Sequence, residues 1–81
     1  MFKIGDTITI QHLTTEQRKH ILYVNWHMEK YEGQTGQIMN IDKVDYGQEH
    51  VQNEYEVCFQ NEAKWWWLEE WIKTDIEYHA F

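Results

Sequence analysis

The stretch EYEVCFQNEAKWWWLEEW, Glu54 to Trp71, changes character twice. It opens with strict alternation: Tyr55, Val57 and Phe59 fall on one face, Glu56, Cys58 and Gln60 on the other. A period of two marks a half-buried strand, because successive side chains of an extended chain point to opposite sides. Asn61-Glu62-Ala63 turns the chain. Trp65, Trp66 and Trp67 then form a second strand, in which Trp65 and Trp67 share a face and Trp66 takes the other. The following LEEWI is too short for a full helix and suits a single helical turn. Strand, turn, strand and helical turn together predict a mainly β chain.

Working outward, the N-terminal KIGDTITI carries a Gly-Asp turn signal and then four β-branched residues, Thr7 to Ile10. That reads as a strand with Ile8 and Ile10 facing inward. TTEQRKHILYV changes period. Thr14 and Gln17 match a capping box, in which each side chain satisfies a backbone donor at a helix start. Leu13, Ile21, Val24 and Met28 share one helical stripe, so a helix is predicted over Thr14 to Val24. Asn25 interrupts it and caps a second short helix, Trp26 to Tyr31, which Gly33 stops. Ile38, Met39 and Ile41 begin another strand. Their imperfect alternation predicts a bulge or a strong bend. The polar KVDYGQEHVQN reads as a long hairpin tip, and Lys73 to Tyr78 as a closing fifth strand with Ile76 and Tyr78 inward. The predicted core is Ile8, Ile10, Ile38, Ile41, Tyr55, Val57, Phe59 and Trp67.

Eighty-one residues make one small domain, residues 1–81. Such a domain buries a modest share of its surface. Cys58 is the only cysteine, so no internal disulfide assists, which fits a reducing cytoplasmic compartment. Five Trp, five Tyr and three Phe supply bulk instead. MFKIGD does not read as a signal peptide, and no apolar run approaches the length of a membrane span.

The net charge is −7. Residues 1–30 set Lys3, Arg18, Lys19 and Lys30 against Asp6, Glu16 and Glu29, a balance of +1. Residues 31–81 set Lys43, Lys64 and Lys73 against eleven carboxylates, a balance of −8. Phosphate binders carry the opposite footprint, so direct nucleic-acid binding and an anionic membrane surface are both disfavoured. The histidines, His12, His20, His27, His50 and His79, lack compact zinc-ligand spacing, and Cys58 has no partner motif. GQTG at 33–36 lacks the Gly-Lys-Ser/Thr ending of a phosphate loop. Adjacent carboxylates such as Glu69 and Glu70 ordinarily mark a solvated turn rather than an acid/base pair. No metal, cofactor or catalytic residue is predicted.

Five short strands with a helical insertion between the first two predict a sheet that closes into a small barrel to protect its edges. GDTITI at 5–10, NWHMEKYEGQTGQI at 25–38, YEVCF at 55–59 and WWWLEEWI at 65–72 resemble small SH3-like barrel modules of phages and mobile elements, distantly similar to mind-bomb/HERC2 repeats. The resemblance implies a peptide- or protein-binding module encoded by a phage or mobile element, acting on a host protein in the host cytoplasm. The expected partner surface is an acidic, aromatic face of Trp66, Trp71, Glu69, Glu70 and Tyr46. Trp and Tyr dominate binding hot spots, and charge complementarity steers encounter. A variant of that expectation is a nucleic-acid mimic, in which carboxylates imitate phosphates and block a basic groove on a nucleic-acid or defence enzyme.

Overall fold

In the computed structural model, residues 2–45, 47 and 51–74 are described. Among these residues five strands form one antiparallel sheet: β1 Thr7–Ile10, β2 Thr35–Asp45, β3 Val51–Phe59, β4 Lys64–Leu68 and β5 Ile72–Thr74, in the order β4-β3-β2-β1-β5. A short helix, α1 Asn25–Met28, lies between β1 and β2. It is flanked by 3-10 turns at Gln17–Lys19 and Glu29–Tyr31, and a third such turn, Glu69–Trp71, joins β4 to β5. The chain is thus mainly β, as the alternation in Glu54 to Trp71 predicts.

β1 pairs with β2 on one edge, Thr7 opposite Gln37, and with β5 on the other, Ile10 opposite Ile72. Flanked on both sides, its Ile8 and Ile10 are fully buried. The Thr9 and Thr35 hydroxyls meet across the β1–β2 ladder at 3.2 Å. β3 carries the predicted alternation: Tyr55 and Val57 are fully buried and Phe59 nearly so. Trp67 lies opposite Tyr55 and is fully buried, and Trp65 lies opposite Val57. The predicted bulge is present. Register slips between Ile38 and Asn40, which turns Met39 outward.

Seven of the eight predicted core residues are buried, and Ile41 is not: it is 41% exposed. It stands opposite Tyr55, but β1 reaches only Thr35 to Gln37 of β2. Beyond that point β2 is an edge strand paired with β3 alone, with less around it to cover a side chain. The aromatic residues fill the centre. Tyr23, Phe59, Trp67 and Trp71 meet edge to face, with the Trp67 and Trp71 rings 6.2 Å apart at 81°, and Tyr31 stacks on Phe59 at 4.4 Å. Edge-to-face contact sets a positive ring edge against a negative face.

The predicted helix over Thr14 to Val24 does not form. Its capping box does: the Thr14 N–H donates to Gln17 Oε1 at 2.8 Å, and the Gln17 N–H to Thr14 Oγ1 at 3.1 Å. The turn nonetheless ends at Lys19, because His20 is extended with ψ 143°. Of the predicted stripe, Leu13 and Met28 are buried, while Ile21 is 86% exposed and Val24 39%; Tyr23 is buried in their stead. Tertiary contacts outweigh local periodicity here. Gly33 closes the excursion at φ 84°, and its N–H donates to the Ile10 carbonyl at 2.7 Å. The predicted Ile76 and Tyr78 positions lie outside the described residues.

Candidate protein-binding surface

Glu69 opens the 3-10 turn after β4, and β3 supplies its partners. The Tyr55 hydroxyl donates to Glu69 Oε1 at 2.7 Å and Asn53 Nδ2 donates to the same oxygen at 3.0 Å. These bonds, Tyr55 first, hold the Glu69 carboxyl below the usual carboxylate range. Burial, then the bond to Glu69, pushes the Tyr55 phenol up to about 12. Glu69 is therefore an ionised carboxylate in a fixed position. It lines a shallow cleft with Glu70, Asn53, Gln52 and the apolar walls Phe2, Val51 and Ile72. Phe2 meets Tyr55 edge to face at 5.4 Å. Gln11 anchors the turn from below: its Nε2 donates to the Glu70 and Ile72 carbonyls at 3.2 Å, and its N–H to the Trp71 carbonyl at 2.8 Å.

The expected face of Trp66, Trp71, Glu69, Glu70 and Tyr46 is only partly assembled. Glu69 and Glu70 share the cleft. Trp71 is 1% exposed, so its indole belongs to the core and is corrected out of the surface. It packs there because the 3-10 turn folds it back against Tyr23 and Trp67. Trp66 is half-buried and stands opposite Glu56, on the strand face opposite to that of Trp67. The Tyr55 hydroxyl that binds Glu69 comes from the inner face, so Trp66 and the cleft use opposite faces of the sheet. Tyr46 lies outside the described residues.

Two features escaped the sequence reading. Glu32 is buried with its side chain 3% exposed, and it gathers four donors from three residues: the Leu13 N–H at 3.0 Å, Arg18 Nε at 3.0 Å, Arg18 Nη2 at 2.7 Å and the Tyr23 hydroxyl. Burial pushes its carboxyl up, but the bonds from Arg18, Tyr23 and Leu13 outweigh this and leave it below the usual range. The same carboxylate, after burial itself, raises the Tyr23 phenol. The network ties the β1–β2 excursion together. The second feature is Trp26, 92% exposed. A signal for it exists in the sequence. Met28 and Tyr31, three apart, share the inner side of the α1 region, and Trp26, two before Met28, sits roughly 200° away round a helix.

Among the described residues, no group of three or more His, Cys, Asp or Glu is placed to hold a metal ion. His20 lies edge-on to Trp71 and His27 stacks on Trp65 at 5.5 Å, so both serve packing. His50 and His79 lie outside the described residues. No helix among the described residues is long and apolar enough to cross a membrane. Comparison with family models, with curated proteins and with solved structures finds no match for the chain.

Proposed function

We propose that the chain is a non-enzymatic protein-interaction module that takes a cationic segment of another protein into the cleft at Glu69 and Glu70. The observation that carries this reading is the Glu69 carboxylate, held ionised by Tyr55 and Asn53 beside the apolar walls Phe2, Val51 and Ile72. An arginine or lysine head suits the carboxylates, and its aliphatic stem suits the walls. The remaining acidity, −8 over residues 31–81, favours encounter with a basic partner.

An SH3-like barrel agrees with the strand order, the long β1–β2 excursion and the one-turn 3-10 element before β5. The resemblance to phage and mobile-element modules makes the partner a host protein in the cytoplasm. One observation favours the second reading, a nucleic-acid mimic: Asp42 faces Glu54 across β2–β3, and like charges directly opposite are ordinarily destabilising.

The test is affinity capture from a bacterial host lysate with the full chain, over a salt series. The expected partner is basic, is released by rising salt, and is lost with Glu69→Lys/Glu70→Lys. Glu70→Lys alone, which disturbs no buried bond, reduces capture in part. Capture that is insensitive both to salt and to these variants, in proteins that melt like the parent, defeats the reading. Competition of that capture by DNA or RNA selects the mimic.

A further inference from the structure

Trp26 stands out because its neighbours on the same excursion are buried. Met28 is 1% exposed and Tyr31 4%, whereas Trp26 is 92% exposed. Ile21 at 86% and Val24 at 39% lie on the approach to it. One exposed apolar side chain is ordinary, but three large ones in six residues form a ridge. Trp26 alone leaves on the order of 200 Å² of mainly apolar surface in water.

The charges around the ridge cancel. Residues 16–32 set Arg18, Lys19 and Lys30 against Glu16, Glu29 and Glu32, three against three, so the whole net charge of −7 lies elsewhere in the chain. They also pair among themselves: Lys19 with Glu16 at 2.9 Å, and Arg18 with Glu32 at 2.7 Å and Glu29 at 3.4 Å. The Lys30 ammonium lies 5.4 Å from the Tyr31 ring centroid. Beside the Trp26 ring is a shallow recess completed by Asn25, Glu29 and Lys30.

We infer that this ridge is the contact through which two copies of the chain associate, Trp26 of each copy entering the recess beside Trp26 of the other. A projection and a recess side by side on one surface suit a two-fold axis, which fills both recesses at once. Charge selects a second copy over a basic partner. A basic protein is drawn to the acidic remainder of the chain, not to its neutral segment. Two chains of −7 repel, and contact at the neutral segment keeps the excess carboxylates out of the interface. There Glu29 of one copy can meet Lys30 of the other. Three side chains and a recess fall short of the roughly 800 Å² per partner of a standard interface, so the dimer is weak, with a dissociation constant in the micromolar range or above. The surface is separate from the Glu69–Glu70 cleft, and the two readings can fail independently.

The test is sedimentation equilibrium of the full chain from roughly ten micromolar to about one millimolar, the range a small interface calls for. The expected result is a monomer–dimer equilibrium that tightens as salt rises, because salt screens the repulsion between the two acidic chains. Trp26→Ala should weaken it at least about tenfold, as loss of an aromatic anchor does. This variant should melt like the parent, since the indole is exposed. Glu29→Lys and Lys30→Glu should each weaken the dimer, and the double exchange should restore it. A chain that stays monomeric throughout overturns the inference. So does a dimer that Trp26→Ala leaves intact, or one that salt dissociates.

Discussion

Glu32 shows how much one side chain can organise. Its carboxylate satisfies the Leu13 backbone and binds Arg18 and Tyr23, drawing together the excursion from Leu13 to Glu32, whose regular structure is limited to α1 and two 3-10 turns. Tyr23→Phe removes one donor to a buried charge and should cost about 2 kcal/mol at neutral pH. The sign of its pH dependence follows from the lowered Glu32 pKa. A carboxylate with a lowered folded pKa stabilises above the unfolded value, and that stability is lost as pH falls through the folded one. The cost of Tyr23→Phe should therefore shrink in acid, as thermal melts across pH would record. Glu54 runs the other way. Burial, then the facing Asp42, raises its pKa. Its protonated form stabilises the fold below the unfolded carboxylate range, and this is lost as pH rises through the raised value. Glu54→Gln should raise the melting temperature at pH 7, with the gain vanishing in acid. A variant less stable at pH 7 would contradict this account.

At the scale of elements, the strands were legible and the excursion was not. Alternation at Tyr55, Val57 and Phe59, and at Trp65 to Trp67, identifies faces because strand neighbours impose a period of two whatever lies beyond them. The capping box at Thr14 and Gln17 was equally legible, yet it began a single turn. What ends that turn is the reach of Arg18 and Tyr23 to Glu32, a contact fourteen and nine residues away that no local pattern encodes. The surface was half legible for the same reason. Glu69 and Glu70 were found from their place beside the Trp run, whereas the direction of Trp71 depends on how the 3-10 turn folds back on the sheet. β2 offers a test of strand packing. A Cβ at Gly36 would lie 2.5 Å from Val57 Cγ1 and 2.9 Å from the Cys58 carbonyl oxygen. The backbone oxygen cannot swing aside as a side-chain end can. Gly36→Ala should destabilise by about 1–3 kcal/mol through overpacking, with the loss read by chemical denaturation. An unchanged midpoint would mean that β2 and β3 are less closely set.

For the whole molecule, charge and core oppose each other. Fourteen carboxylates against seven basic side chains leave −7 on a body with a radius of gyration of 12.4 Å. Self-repulsion of this kind favours expansion, and added salt screens it. The melting temperature should rise as sodium chloride is increased from low to physiological strength. A fall would show that exposed ion pairs such as Glu16–Lys19 outweigh the general repulsion. The compensating element is aromatic bulk, since no disulfide is available to restrain the unfolded chain. Two indole N–H groups, of Trp67 and Trp71, are buried without a hydrogen-bond partner among the described residues. Their indoles are held by packing in the core cluster, in a centre where Tyr23 meets both.

That pair of perpendicular indoles has an optical consequence. Strong transitions on two rings so close and so crossed couple, and coupled chromophores give a circular-dichroism doublet in the far ultraviolet. The doublet would overlie the weak signal of a small sheet and distort any secondary-structure content fitted to the spectrum. It would also vanish when the two rings part. Its amplitude during thermal or denaturant unfolding would thus track the integrity of the core, while collisional quenching of fluorescence would act most on the exposed Trp26 and least on Trp67 and Trp71 in the folded chain.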